Sequence, residues 1–429
     1  MPHSRLVVLG VLLYGLLLAG LGLMRAEFLA LAMPLGVYWL VSLWLAPEKL
    51  ALSARRTLST TRLTAGGTVD VLLELENQGD PIDQVWLQDA LPAGMQVIAG
   101  RPACLTSLAS GEKITIEYSV RFQRGSYNYD TLNVCVGDGF DLAVTVLPLP
   151  APGSVSVLPQ AMPLRAVPLR PYETKGYHGS IPARRGGAGV SFFGVRDYQP
   201  GDALRQVNWR LSARHPDSLY SNEFQVEAAT DVSLLLDGRR ESYLRLGSSS
   251  LFEYAIQATA SLAQSFLSEG NRVGLLAFGH MIDWTFHGYG KLQAERIFQA
   301  LAAIQPGDTQ NEIPEPFLAH FARPGSQVVA ISPLTRWDVI TLLRLHARRY
   351  SLLVVSPDPA SFEYQRLPAS SSREQALRIA RLERGQLLQP LRRAGILTLD
   401  WDVTQPLDQA LNILQRSALT GQPVDGGRL

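Results

Sequence analysis

The chain has 429 residues, 46% hydrophobic and 18% charged, which excludes a disordered or fibrous protein and leaves room for two or three domains. Lysine plus arginine total 39 and aspartate plus glutamate 38, so the net charge of +1 excludes a protein built throughout to coat nucleic acid or another polyanion. The mean hydropathy of +0.05 hides an uneven distribution, with the apolar surplus gathered near the N-terminus.

Leu6 to Met24 and Phe28 to Ala46 carry no Asp, Lys, Arg or Glu beyond the short Arg25-Ala26-Glu27 joint between them, and each is about the length that crosses a hydrocarbon core. The pattern predicts a transmembrane helical hairpin over residues 1–50, not a cleaved signal, because the first run is long and the second follows at once. Arg5 precedes the hairpin and Lys49, Arg55, Arg56 and Arg62 follow it, which places both flanks, and so residues 50–429, in the cytoplasm. Cys104 and Cys135 have no metal-ligand spacing and read as two unpaired thiols; with the opposite sidedness they would be candidates for a disulfide.

From residue 51 to 160, alternating runs such as Val69 to Glu76, Ile114 to Val120 and Leu132 to Val136 predict a small antiparallel β-sandwich. Leu147 to Pro171 is rich in proline and reads as an extended connector. Residues 161–230 form an arm that is rich in proline and arginine. Between 165 and 214 nine basic side chains meet three acidic ones, a surface suited to anionic lipid or an acidic partner unless its arginines are tied internally. From 231 to 429 near-continuous apolar runs (Val232 to Leu236, Val273 to Phe278, Val328 to Ile331, Leu352 to Val355, Ile396 to Leu399) alternate with helical patterns. Ser371-x-x-Glu374 reads as a capping box. The fold class predicted is α/β, a doubly wound parallel sheet behind the hairpin and the sandwich.

No P-loop, dinucleotide fingerprint, zinc-protease, nucleophile-elbow or paired CxxC string is present. Of the seven histidines only His178 and His215, in the basic segment, draw notice. In an open α/β sheet ligands gather at the carboxyl ends of the strands, and the first strand here ends in Asp237-Gly238-Arg239-Arg240-Glu241. That strand, with the helix and the Val273 to Phe278 strand after it, resembles the von Willebrand factor type A fold. The resemblance implies Mg²⁺ held through a D-x-S-x-S motif. Only Asp237 matches; Arg239 and Glu241 take the serine positions, and Thr309 is the candidate threonine. A guanidinium at that place disfavours Mg²⁺ and predicts that Arg239 pairs with Asp237 instead, so no cofactor is expected.

The most specific string runs from Phe193 to Arg214. Gln199-Pro200-Gly201-Asp202 predicts a type II turn, Asp202 is placed to cap a short helical turn through Arg205, and Arg196 and Arg205 compete for its carboxylate. Trp209 is expected to anchor the segment on the following sheet. The string reads either as a structural clasp or as a docking surface of Arg196, Tyr198, Arg210 and Arg214. Arg196, Tyr198, Gly201, Asp202, Arg205, Trp209 and Arg214 fit the signature R-x-Y-x-x-G-D-x-x-R-x-[IV]-x-W-x-x-[ST]-A-R, with Pro200 inside the turn, and so the chain resembles the bacterial domain-of-unknown-function family number fifty-eight. Arg124-Gly125-Ser126-Tyr127 and Asp138-Gly139-Phe140-Asp141-Leu142 fit two further segments, the latter with substitutions, and Ser191 stands where that family usually has glutamate. The resemblance implies a non-catalytic adaptor of the bacterial inner membrane, working with a MoxR-type AAA+ ATPase and a transglutaminase-like membrane protein, on a client the sequence does not name. A divalent-metal-dependent adhesion-type domain and an unrecognised hydrolase are the alternatives, and nucleic acid is not an expected partner.

Overall fold

The computed structural model describes residues 4–45, 50–92, 94–137, 144–165, 167–169, 181–187, 191–215, 218–228, 230–247, 249–308, 312–364, 366–368 and 370–420. Two compact units divide the chain, Met1–Leu158 and Pro159–Leu429.

In the first unit the apolar N-terminal runs form two helices, α1 (Ser4–Gly22) and α2 (Ala26–Leu45), the second with Pro34 inside it. Among the described residues no helix is long and apolar enough to cross a membrane, which overturns the expected transmembrane hairpin.

Among the described residues nine strands follow: β1 (Leu52–Leu58), β2 (Arg62–Thr64), β3 (Thr68–Asn77), β4 (Ile82–Gln88), β5 (Met95–Gly100), β6 (Ala103–Leu108), β7 (Lys113–Phe122), β8 (Gly125–Gly137) and β9 (Val144–Leu158). They make two sheets, ordered β1-β3-β7-β5 and β2-β9-β8-β4-β6. The alternation in β3, where Val69, Val71, Leu73 and Leu75 are buried, points one face of the first sheet at Leu132, Val134 and Val136 of the second. The proline-rich stretch is not merely a connector: Pro148, Pro150 and Pro152 lie within β9, which pairs with β8 along its length. Only Ser156 to Leu158 pair with β2 on the other side, so the prolines occupy a free edge where a missing N–H breaks no ladder. Cys104 faces Leu87 and Cys135 faces Trp86, neighbouring positions of β4 whose side chains leave opposite faces, and both thiols are free.

A buried ion pair crosses the sandwich core. Arg56 donates to Asp89 (2.7 Å) and to the Ala151 carbonyl, and its guanidinium lies 4.3 Å from the Tyr129 ring centre. The Tyr118 hydroxyl donates to the other Asp89 oxygen at 2.5 Å, and burial, with that hydrogen bond, pushes Tyr118 well above the usual phenol range.

The second unit begins with a three-stranded sheet, β10 (Ile181–Gly187), β11 (Ser191–Asp197) and β12 (Tyr220–Ala228), ordered β10-β12-β11. Between β11 and β12 lie a 3-10 turn (Leu204–Gln206) and the one-turn helix α3 (Trp209–Ser212). Next come β13 (Asp231–Asp237), a two-stranded ribbon of β14 (Arg245–Leu246) and β15 (Ser249–Ser250), α4 (Leu251–Ser268), β16 (Arg272–Phe278), β17 (Asp283–Gly288), α5 (Gly290–Ala303) and α6 (Glu315–Phe321). The chain continues through β18 (Gln327–Ile331), α7 (Arg336–Ala347), β19 (Ser351–Pro357), α8 (Pro359–Tyr364), α9 (Ser371–Arg393), β20 (Leu397–Trp401) and α10 (Leu407–Thr420). The six-stranded sheet is ordered β17-β16-β13-β18-β19-β20.

Helices cover both faces: α4, α5 and α10 pack over one core cluster, and α6, α7 and α9 over the other. The sheet is not wholly parallel, because β17 runs antiparallel to β16. Only four residues separate the two strands, whereas a parallel crossover needs a dozen or more. The helix-capping reading also shifts. α9 is capped by Ser370, not Ser371, and the capping box belongs to Thr335 and Asp338 of α7.

Removing Asp89 leaves Arg56 charged and uncompensated in the sandwich core, so Asp89→Ala is expected to cost about 3–5 kcal/mol, whereas Tyr118→Phe costs about 1–2. Urea unfolding of both variants, followed by circular dichroism, checks the order; equal effects would show that Asp89 is not the centre of the cluster.

Candidate functional site

The strand order reverses between β13 and β18, so their carboxyl ends are where an open α/β sheet forms its crevice. Three glycines bring the loops there into contact. A Cβ on Gly238 would lie 2.7 Å from the Phe278 carbonyl oxygen, and one on Gly307 would lie 2.3 Å from His280 Cα. Gly279, at φ +144°, would place a Cβ 2.3 Å from the Gly238 backbone.

Inside this collar Arg239 joins two carboxylates. Its Nε and Nη2 donate to the two oxygens of Asp237 at 2.9 and 2.7 Å, and Nη2 also reaches Asp338 of α7 at 2.6 Å. The three side chains are essentially sealed from solvent, at 0%, 2% and 1% exposure for Asp237, Arg239 and Asp338. Ser332, just past β18, donates to Asp237 at 2.7 Å, and the Arg239 backbone N–H adds a fourth bond to that carboxylate. The Thr335 N–H and hydroxyl both donate to Asp338, and the Tyr243 hydroxyl donates to the Asp237 carbonyl. Burial works against the Arg239 charge, but hydrogen bonds and the charges of Asp237 and Asp338 outweigh it and hold the guanidinium pKa above its usual value. Tyr243 is pushed well above the phenol range by burial and the Asp237 charge.

The donor set does not fit a hard divalent cation. Both oxygens of Asp237 are engaged by the guanidinium, and a 2+ ion would sit against that cation. Glu241 is exposed, and Thr309 lies outside the described residues. Among the described residues no group of three or more His, Cys, Asp or Glu side chains is placed to hold a metal. A serine and a histidine do meet, Ser233 Oγ and His287 Nε2 at 2.8 Å, and Ser233 is fully buried.

A second arginine closes the neighbouring strand ends. Arg384 of α9 donates to Asp400 at 2.5 Å, to the Ser356 hydroxyl and carbonyl, and to the carbonyls of Pro333 and Pro357. Asp358 lies 3.4 Å away, its carboxyl raised by burial against the opposing charge of Arg384. Beside this staple α7, α8 and α9 border an open groove of about 810 Å³ floored by Val339, Ile340, Leu343 and Leu387.

In the arm, Arg196 and Asp202 form a two-pronged ion pair at 2.9 and 2.7 Å. The turn between them closes with the Asp202 N–H donating to the Gln199 carbonyl at 3.0 Å, after exposed Pro200 and with Gly201 at φ +113°. Asp202 accepts from the Gln199 N–H and does not cap the 3-10 turn, whose N-cap residue is Ala203. Arg205 and Arg214 are exposed, and among the described arginines it is Arg196 that pairs with the carboxylate. Tyr198 is half-buried and donates its N–H to the Leu219 carbonyl. Trp209 does not anchor the segment: it is 62% exposed, because Val207, Asn208 and Ser212 take the inward positions. Asn208 caps α3 and hydrogen-bonds Asn222, and Ser212 accepts the Tyr220 N–H. His215 is exposed and sits edge-on to Tyr220, while His178 and the 138–142 segment lie outside the described residues.

Asp338, Ser332 and Arg384 were missed by sequence reasoning. The only local signal was Thr335-x-x-Asp338, an N-terminal cap whose acid also serves Arg239.

Residues 194–381 match the family described as "Protein of unknown function DUF58". A protein of Bacillus subtilis (strain 168), printed as "Uncharacterized protein YeaD", is 26% identical over 231 residues, 53% of this chain; the chain spans 56% of that relative's length. Among solved structures, the CARDB domain of a Pyrococcus furiosus protein is 16% identical, covering 26% of this chain and 97% of its own, with a TM-score of 0.19. A β-glucosidase of Listeria innocua is 19% identical, covering 25% of this chain and 16% of its own, with a TM-score of 0.12. Neither structural likeness is extensive enough to carry an argument.

Two outcomes are expected. Calorimetry with Mg²⁺ or Mn²⁺ at micromolar concentration gives no heat with the intact chain; binding that is lost on Asp237→Ala would overturn the ion-pair reading. The Arg196 hydrogen bonds, and after them the Gln199 N–H, hold Asp202 down at about 2. Its pairing is therefore complete above the ordinary value near 4 and lost as the pH falls through about 2. Arg196→Met is expected to return the Asp202 titration toward about 4, read by carboxyl NMR shifts; an unmoved titration would show that the guanidinium is not the cause.

Proposed function

We propose that the chain is a non-catalytic adaptor whose arm docks a protein partner, with a MoxR-type AAA+ ATPase as that partner and a transglutaminase-like protein as a further associate. One observation carries this reading: the arm holds Leu204 and Trp209 at 71% and 62% exposure beside exposed Arg205, Arg210 and Arg214, on a backbone fixed by the Arg196–Asp202 pair. Support also comes from the strand ends, where Asp237, Asp338 and Asp400 are engaged by Arg239 and Arg384 and stand in place as structural groups. The choice of ATPase rests on the resemblance in the signature from Arg196 to Arg214.

The experiment is capture of a purified MoxR-type ATPase by the full chain, with and without ATP, comparing the intact protein with Arg196→Glu. Reversal of that charge sets two carboxylates against each other in the turn and is expected to lower capture about tenfold, roughly 1.4 kcal/mol. Capture indifferent to the substitution would leave the arm as a clasp only and sink the docking role.

A further inference from the structure

From Ala203 to His215 the chain carries Arg205, Arg210 and Arg214 and no acidic residue. The three arginines are exposed, and none makes an ion pair among the described residues. Leu204 and Trp209 lie in the same run with most of their surface in water. Leu219, on the approach to β12, adds an aliphatic side chain at 49% exposure.

The backbone that displays these groups is held at several points. Val207 bridges to Ser221, the Asn208 N–H donates to the Tyr220 carbonyl at 2.7 Å, and the Asn208 amide donates to Asn222 at 2.8 Å. The Tyr220 N–H returns a bond to Ser212 at 2.9 Å. A surface fixed in this way loses little freedom when a partner binds. Its composition, one tryptophan and three arginines around aliphatic carbon with no lysine, is that of interface residues that carry most of the binding energy.

On the docking role proposed above, we infer that this exposed run receives an acidic amphipathic segment of the partner protein. Apolar side chains of the segment lie on Leu204 and Trp209, and its carboxylates pair with Arg205, Arg210 and Arg214. Guanidinium forks match carboxylates two-pronged, which fixes the register of such a segment as well as attracting it. A nucleic-acid strand is a poorer fit, since it calls for a continuous basic groove with several stacking aromatics, and this run offers only Trp209 and the His215 imidazole. An anionic lipid surface is also poorer: attraction of that kind comes from clusters of four to eight cations, against three here.

The test uses the full chain and fluorescence anisotropy with a labelled synthetic peptide of leucine and glutamate in amphipathic order. The parallel probes are the same peptide with lysine for glutamate, a single-stranded oligouridylate, and phosphatidylserine vesicles. The leucine–glutamate peptide is expected to bind, to weaken with added salt, and to lose about tenfold or more in affinity with either Trp209→Ala or Arg210→Glu. Both side chains are exposed, so an unchanged melting temperature confirms that each variant is folded. No binding of this peptide, binding that ignores both substitutions, or a preference for oligouridylate or vesicles overturns the inference.

Competition separates it from the ATPase reading. If Trp209→Ala lowers ATPase capture while excess peptide does not compete, the acidic-segment inference fails and the docking role stands. If the peptide binds as expected and the ATPase is not captured, the ATPase reading fails and this inference stands.

Discussion

The α/β unit depends on one buried charge. Arg239 lies between Asp237 at the end of β13 and Asp338 in the first turn of α7, and so ties the first strand of the sheet to the helix that follows the fourth. Three ionised groups in so dry a place add little net stability compared with a well-packed apolar core, yet losing any one of them is costly because the others are left uncompensated. Their contribution is therefore specification of one arrangement. The close approach of Gly238, Gly279 and Gly307 has the same consequence, since no side chain fits where the three loops touch. Loop path and charge placement lock each other.

Arg384 repeats the device one strand further along. Arg239 serves the ends of β13 and β18; Arg384 serves those of β19 and β20 through Ser356, Pro357 and Asp400. The carboxyl edge of the sheet, which in open α/β folds is usually given over to ligands, is here largely occupied by the protein's own guanidinium groups. The acids that would bind a cation or move a proton already have partners. In the arm, by contrast, Arg205, Arg210 and Arg214 are exposed and make no ion pair among the described residues.

Legibility in the sequence followed the range of the interaction. The period-two runs around Val69 and Leu132 and the apolar runs around Leu234 and Val354 form strands because each carries its burial pattern within a few residues. β17 was not legible: Asp283-Trp284-Thr285-Phe286-His287-Gly288 is an edge strand with aromatic side chains in solvent and offers no apolar run. β9 was hidden by its prolines, which only a free edge tolerates, and edges are a property of the sheet. The apolar length at the N-terminus predicts a span, yet among the described residues no helix is long and apolar enough to cross a membrane. In the site, the contact between Asp237 and Arg239 spans two residues and could be argued from spacing; Asp338 lies 99 residues from Arg239 and could not. Trp209 was misplaced for a related reason. Its size suggested an anchor, but Val207 and Ser212 already fill the inner face of so short a segment.

The chain's near-zero charge acquires a meaning from these placements. Its basic side chains are almost all arginine, the lysines being Lys49, Lys113, Lys175 and Lys291 alone. A lysine at Arg239 would offer a point charge on a flexible stem and could not span two carboxylates and hold a planar register; at Arg384 it could not reach five acceptors. The residue that suits a dry, many-partnered site is also the one that pairs two-pronged with carboxylates at an interface. Where acidic partners lie within the fold, as at Arg56, Arg239 and Arg384, arginine holds elements together. Where the run itself carries none, as from Ala203 to His215, the same group remains in water with its hydrogen-bonding capacity open toward another molecule.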